Sequence, residues 1–203
     1  LPQSSSVGWH SIRFQVVQTD PAGNTASQSF VWNKLALTVS PLNPTLQVVT
    51  DQVLTFSGGS GSYTLTVIEN QSGGTYNSTT KTYTTGTLAN VIDRFALTDS
   101  LGVTQNFTIS TIAGNVDHFS YAMSGLVDIS GNNQTVTVGQ NLASPFIAKV
   151  VDRYENPISS YPVYLQVVQG DSHITNTVLQ FSDLSGQVPI NVRAGLAHRM
   201  NTI

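Results

Sequence analysis

The feature that most restricts this chain is a two-residue alternation of apolar and polar side chains, renewed repeatedly between clusters of turn residues. Ile12-Arg13-Phe14-Gln15-Val16, Tyr63-Thr64-Leu65-Thr66-Val67 and Thr135-Val136-Thr137-Val138 all carry it. Successive side chains of a strand point to opposite faces, so each run reads as a half-buried strand. Between the runs stand Gly58-Gly59-Ser60-Gly61, Ser72-Gly73-Gly74 and Ser130-Gly131-Asn132-Asn133, residues that supply the backbone conformations needed to reverse a chain. No window of a dozen residues shows apolar positions at helical spacing, and the abundant Thr, Val, Ser and Asn favour strands and turns over helices. Regular short strands without helices imply an all-β fold of antiparallel sandwiches.

A second regularity divides the chain. Asp-x-x-Gly follows a strand at Asp20 to Gly23, Asp99 to Gly102 and Asp183 to Gly186. The carboxylate can cap the amides of a turn, while the Gly supplies a positive φ that closes a hairpin with a bulge. The first two are each followed by an alternating strand, Thr25 to Trp32 and Val103 to Ile109, and then by a join, Asn33-Lys34 or Ala113-Gly114-Asn115. That period matches one small sandwich. Three segments result: 1–34, the closing hairpin of a sandwich whose remainder is missing; 35–113, a complete sandwich; and 114–203, a sandwich lacking its last strand. The third Asp-x-x-Gly is not equivalent to the others, because Val188 to Val192 and the turn at Ala194-Gly195 follow it. In the middle segment, alternation selects Phe56, Leu65, Val67, Phe95, Leu97 and Phe107 as core.

Charge narrows the functional classes. Of the 203 residues only 9% are charged and the formal net charge is -3, so there is no basic field for nucleic acid or anionic lipid. No apolar run approaches the roughly 18 residues that would cross a bilayer as a helix, so no membrane insertion is expected within the segment. The absence of Cys removes disulfides, thiolate metal sites and cysteine nucleophiles, and leans towards a bacterial exported protein. Because the sequence starts at Leu1, it reads as a piece of a longer chain.

The stretch Asp20-Pro21-Ala22-Gly23-Asn24-Thr25-Ala26 resembles the closing hairpin of bacterial immunoglobulin-like (Big) repeats of surface adhesins. Leu54-Thr55-Phe56-Ser57-Gly58-Gly59-Ser60-Gly61-Ser62-Tyr63, with Phe95-Ala96-Leu97-Thr98-Asp99-Ser100-Leu101-Gly102, looks like a second such repeat. The last segment is similar to the invasin and intimin type through Val138-Gly139-Gln140, Val150-Val151-Asp152, Asn156-Pro157-Ile158, Val163-Tyr164-Leu165 and Ser182-Asp183-Leu184-Ser185-Gly186. It departs where Tyr154-Glu155 replace the small or Gly residues usual there, and it stops at Asn201-Thr202-Ile203. The resemblance implies tandem immunoglobulin-like sandwiches.

Residues able to do chemistry are few and separate. His10, His118, His173 and His198 form no ligand spacing, no Gly-x-Ser-x-Gly elbow is present, and no paired carboxylates stand apart from turns, so no enzyme and no cofactor is expected. Calcium is the one credible ion, because Asp and Asn oxygens near joins are hard ligands; its candidates are Asp20 with Asn24, Asp117, and Asp152 with Asn156. Ligand candidates are Tyr76 with Tyr83 and Tyr154 with Tyr161, since an exposed ring can stack on a sugar face. Tyr161 and Tyr164 differ in parity, so one of them faces inward. Trp9 and Trp32 lie at the open end of the first hairpin. Lys149 is the Lys of a conceivable Lys to Asn isopeptide link.

The expected role is a structural spacer of a bacterial cell-surface adhesin, extracellular, whose partners are neighbouring immunoglobulin-like domains and a host or prey surface glycan or protein at the distal end. The alternatives are a glycan- or receptor-binding module and an accessory region of a secreted polysaccharide-degrading enzyme.

Overall fold

In the computed structural model, residues 10–121, 123, 124, 127, 128 and 130–196 are described. Trp9, His198 and residues 201–203 therefore lie outside the described residues. Two compact units divide the chain, Leu1–Ile112 and Ala113–Ile203.

The first unit opens with a hairpin of β1 (His10–Thr19) and β2 (Thr25–Lys34), which form a two-stranded antiparallel sheet. There follow β3 (Thr38–Ser40), β4 (Thr45–Gln47), β5 (Asp51–Val53), β6 (Thr55–Ser57), β7 (Tyr63–Glu69), β8 (Thr75–Asn77), β9 (Thr82–Thr84), β10 (Ile92–Asp99) and β11 (Thr104–Ile112). One face is the sheet β4-β11-β10-β7; β3-β6 and β5-β9-β8 supply the strands opposite it. All pairs are antiparallel except β4 with β11, which run parallel from Thr45↔Ser110 to Gln47↔Ile112.

Between these layers Leu37, Val39, Leu54, Tyr83, Phe95, Leu97, Phe107 and Ile109 form one buried cluster. Phe95 stacks on Phe107 at 5.0 Å and meets Tyr83 edge-on at 4.9 Å, both favourable aromatic geometries. The alternation expected from the sequence is visible in β10, where Asp93, Phe95, Leu97 and Asp99 are all buried. Phe56 and Leu65 are partly buried against the cluster. Val67 corrects the expected core list, for it is 41% exposed. It sits on the edge strand β7 beside a bulge, where the register with β10 jumps between Phe95↔Val67 and Arg94↔Glu69; a bulge re-aims the side chains next to it.

The second unit contains β12 (Val116–Tyr121), β13 (Met123–Ser124), β14 (Val127–Asp128), β15 (Phe146–Asp152), β16 (Pro162–Tyr164), β17 (His173–Ile174), β18 (Leu179–Phe181), β19 (Gln187–Ile190) and β20 (Val192–Arg193). Its sheets are β12-β15-β19, β16-β18, β17-β20 and β13-β14. Its core is smaller: Val150, Val163, Leu165 and Val188 are buried, with Ile158, Tyr161, Ile174 and Ile190 packed on them.

The run Thr135 to Val138, expected as a strand, joins no sheet. The Gln134 amide just before it takes over the bonding a ladder would supply: its Nε2 donates to the Gly131 and Ser144 carbonyls, and its Oε1 accepts the Ser144 N–H at 2.9 Å. The segment then turns, the Gln140 N–H donating to the Thr137 carbonyl. Polar side chains that bond to backbone offer it an alternative to sheet pairing.

Candidate functional site

The polar residues singled out by the sequence converge on one local device, the aspartate-capped turn. Asp20 Oδ1 accepts the N–H groups of Ala22 and Asn24 at 2.9 and 2.8 Å. Asp99 Oδ1 does the same for Leu101 and Val103, and Asp183 Oδ1 for Ser185 and Gln187. In each turn the Asp N–H donates to the carbonyl four residues on, and the Gly N–H donates back to the Asp carbonyl. Gly23, Gly102 and Gly186 have φ of 86°, 80° and 73°, the left-handed region where a Cβ is unfavourable.

A fourth turn of the same type has no Gly. Asp152 Oδ1 accepts the N–H groups of Tyr154 and Asn156 at 2.8 and 3.0 Å, and Glu155 occupies the Gly position with φ 65°. The departure at Tyr154-Glu155 therefore changes the residue and leaves the turn intact. The signal was present in the sequence as the shared Asp to Asn spacing, Asp20 to Asn24 and Asp152 to Asn156. Locally the Asp183 turn also matches the others. Its difference is topological, since it joins β18 and β19, which belong to different sheets, whereas the Asp20 and Asp99 turns join paired strands.

These bonds account for four of the calcium candidates. Asn24 Nδ2 donates to Asp20 Oδ2 at 2.8 Å, and Asn156 Nδ2 donates to both Asp152 oxygens at 3.2 and 3.0 Å. Each amide thus presents its donor end where a cation would need an oxygen. Asp152 Oδ2 also accepts the Gly114 N–H at 2.8 Å, tying the start of the second unit to the turn after β15. Burial works against the Asp152 charge, yet Asn156, Gly114 and Tyr154 together outweigh it and hold the carboxyl below its ordinary range. Asp20 is lowered too, chiefly by the Asn24 amide. The fifth candidate, Asp117, lies on β12 with its Oδ2 2.9 Å from His118 Nδ1, while His118 Nε2 meets Glu155 Oε1 at 2.8 Å. The Asp117 bond, opposed by partial desolvation and aided by Glu155, raises the imidazole above its usual value. Among the described residues no group of three or more His, Cys, Asp or Glu is placed to hold a metal ion.

The tyrosine candidates separate. Tyr83 is fully buried, a correction to its reading as a sugar-stacking ring: its alternation in β9 points it into the core, where it packs on Phe95. Tyr76 is half-buried against the same core and lines a depression with Phe56, Tyr63 and Lys81. Tyr154 is exposed, the Arg153 guanidinium lying 5.9 Å from its ring centroid. Tyr161 packs on the core of the second unit, while Tyr164 is 75% exposed, so the parity argument holds with Tyr161 inward.

Sequence reasoning passed over the polar centre of the first unit. Asp93 is fully buried and its carboxylate accepts three donors: the Ser72 N–H at 2.8 Å, the Ser72 hydroxyl at 2.6 Å and the Tyr83 hydroxyl at 2.8 Å. Burial, reinforced by Asp93 and only partly offset by Ser72, raises the Tyr83 phenol far above its usual value and keeps it a donor. Gly74 and Gly86 make room: a Cβ on Gly74 would lie 2.2 Å from the Tyr83 oxygen, and one on Gly86 would lie 1.8 Å from the Ser72 carbonyl. Asp93 shares the parity of Phe95 and Leu97, so an acid on an inward position was the available signal. Sealed from solvent, this group ties the loop after β7 to β9 and β10.

An open cleft of about 870 Å³ lies in the second unit. Phe119, Phe146, Ala148, Leu165, Ile174 and Ile190 line it. Of the imidazole and carboxylate groups, the lining includes His118, which is paired with Asp117 and Glu155.

No protein-family model matches the chain, and no curated protein matches it in sequence. Among solved structures it is similar to one described as protocadherin gamma B7 extracellular cadherin domains 1-4, with a TM-score of 0.35 and 8% identity, over 94% of this chain and 59% of that one. The chain thus spans less than two thirds of the length of that structure. Strand pairing and burial define the architecture: a tandem of antiparallel all-β units resembling immunoglobulin-like sandwiches.

Proposed function

We propose that this chain is a structural spacer from a bacterial, extracellular, adhesin-like protein, in which tandem immunoglobulin-like sandwiches carry a distal binding region away from the cell. The observation that supports it best is how the first unit is closed. Its early strand β4 pairs in parallel with its last strand β11 over three residue pairs, Thr45↔Ser110 to Gln47↔Ile112, and the Val48 N–H extends the contact to the Ile112 carbonyl at 3.0 Å. Tension applied at the two ends of the unit loads this pair in shear, so several main-chain bonds must break together. Beneath it the Ser72-Tyr83-Asp93 centre and the aromatic cluster hold the two layers to one core. Asp20, Asp99, Asp152 and Asp183 are engaged in capping turns, which suits a load-bearing module in which loops are kept short and stiff. Low charge leaves few ion pairs for salt to weaken.

Single-molecule stretching of the full chain tests this reading. Residues 35–112 unfold as one discrete step whose gain is the released contour of at most roughly 260–280 Å, about 3.3–3.6 Å per residue, less the folded end-to-end distance. Val48→Pro removes the N–H that donates to the Ile112 carbonyl, weakens the β4–β11 shear contact and lowers the rupture force. A first unit that yields gradually, without a step, would overturn the proposal.

A further inference from the structure

On one side of the first unit the edges of both layers come together. β7 is an outer strand of the sheet β4-β11-β10-β7, and β8 is an outer strand of β5-β9-β8. Residues of both line a depression of about 430 Å³, to which β6 contributes Phe56. Alternation turns Tyr63 and Leu65 of β7 and Tyr76 of β8 towards the core, half-buried, while their neighbours Thr64, Thr75 and Asn77 are exposed. The depression is therefore floored by rings. Tyr76 stands opposite the fully buried Tyr83 in the β8–β9 ladder, but on the edge strand, so part of it stays uncovered. Tyr63 meets Phe56 edge-on at 5.8 Å between centroids, and its hydroxyl donates to the Gly58 carbonyl at 2.8 Å, which holds the ring in place.

The rim carries exposed hydroxyls, those of Ser62, Thr64 and Ser78, and one cation, Lys81. Residues 35–112 contain only two cations, Arg94 and Lys81. Arg94 is paired with Glu69 at 2.9 Å, whereas Lys81 has no carboxylate partner among the described residues and its Nζ lies 5.8 Å from the Phe56 ring centroid. The acids of the same stretch are all engaged elsewhere: Asp51 with Thr84, Glu69 with Arg94, Asp93 with Ser72 and Tyr83, and Asp99 in its turn. None of them lines the depression. The turn bearing Lys81 is held firmly, since Asn77 Oδ1 accepts the Thr79 and Thr80 N–H groups at 3.0 and 3.3 Å and the Lys81 carbonyl accepts the Leu54 N–H at 2.8 Å. Rings, hydroxyls and one unopposed ammonium are together the set that a sugar acid can use. A pyranose face excludes water against a ring, its hydroxyls meet hydroxyls, and a carboxylate meets the charge.

We propose that this depression binds a carboxylated pyranose, with the sugar ring on Tyr76 and the carboxylate on Lys81. Its volume lies within the roughly 300–1,000 Å³ of small-molecule sites. An extended peptide fits the same place poorly, although β7 is an edge strand: its ladder with β10 jumps between Phe95↔Val67 and Arg94↔Glu69, and a bulge turns an edge away from strand addition. The site does not depend on the spacer role. A chain whose first unit ruptures in one step but binds no sugar overturns only this inference.

NMR titration of the full chain with sodium glucuronate, glucose and sodium acetate tests it, because glucose keeps the ring without the carboxylate and acetate the carboxylate without the ring. Saturable shifts of the Thr64, Leu65, Tyr76 and Lys81 amides are expected with glucuronate, weaker binding with glucose, and no saturation with acetate over the same range. Lys81→Gln changes an exposed side chain; it lowers glucuronate affinity about fivefold, the upper end for an ion pair that water reaches, and leaves glucose unchanged. Tyr76→Leu keeps an apolar side chain against the core, removes the ring face and weakens both sugars. Unmoved amides of Phe95 and Phe107 show that each variant is folded, and if Tyr76→Leu is not, Lys81→Gln and the comparison of the three probes still decide. Glucuronate that gives no saturable shift, that binds no better than glucose or acetate, or that binds Lys81→Gln as tightly as wild type overturns the proposal. So does an acidic peptide of alternating Glu and Thr that moves the same amides at lower concentration than glucuronate, which would assign the edge of β7 to strand addition.

Discussion

Asp152→Ala and Asp183→Ala remove the same capping carboxylate from two turns of one unit, and the structure makes their costs different. Asp152 is 1% exposed and holds four donors: the N–H groups of Gly114, Tyr154 and Asn156, and the Asn156 amide. Of these, the two on Asn156 belong to a residue itself 4% exposed, so water cannot replace the lost acceptor. A buried donor left without a partner costs about 1–3 kcal/mol. With partial relaxation, and adding the bonds to Tyr154 and Gly114 that solvent can reach, the total is about 3–5 kcal/mol. Asp183 is exposed and caps only the Ser185 and Gln187 N–H groups, which water can satisfy after the change; its loss costs about 1 kcal/mol. In a domain of this size each kcal/mol moves the melting midpoint by about 4–8 °C. Asp152→Ala therefore lowers the midpoint of the second unit by more than 10 °C and Asp183→Ala by only several degrees. Following the amide signals of Val150 and Val188 by NMR during heating isolates that unit within the full chain. Equal shifts for the two variants would refute the reasoning, because they would show that burial of the donors does not set the cost of the cap.

Tyr83→Phe deletes one hydrogen bond to the buried Asp93 carboxylate without opening a large cavity, and a bond to a charged group contributes about 1.5–3 kcal/mol; urea unfolding of the first unit should register that loss with an unchanged m value. Gly102→Ala meets open space and carries only the left-handed backbone penalty of about 1–2 kcal/mol, whereas the Cβ of Gly186→Ala would lie 2.6 Å from the Val150 carbonyl oxygen; calorimetry should find the second change clearly the more damaging. Since the Asp152 carboxyl is lowered in the folded state, its stabilisation is present above the unfolded value near 4 and is lost as pH falls through the folded value. Acid titration should thus unfold the second unit of the wild-type chain over that window, and Asp152→Asn should flatten the dependence. Calcium chelation should leave both melting midpoints unmoved, because the Asp and Asn side chains at the candidate positions bond to one another and to backbone amides; a clear drop would show that a cation takes their place.

The sequence by itself determined the elements governed by local chemistry. Alternation in β7, β10 and β11 and the Asp-x-x-Gly turns are properties of neighbouring residues, because side-chain direction in a strand repeats every two residues and a capped turn closes within five. They located the hairpins and most of the first core, and they required one of Tyr161 and Tyr164 to face inward without saying which. What alternation could not supply was which inward face is covered, since that depends on strands far away in the chain. Val67 has the parity of a core residue but lies beside a bulge on an edge strand; Thr135 to Val138 alternates but finds no partner strand. Tyr83 is an aromatic that sequence cannot place, and it became a buried donor only because β10 brings Asp93 to its hydroxyl. Glu155 took a Gly position because four bonds to Asp152, three of them from Tyr154 and Asn156, hold the turn around it. Period and register say which face seeks a partner, and only the packing of distant strands says whether it has one.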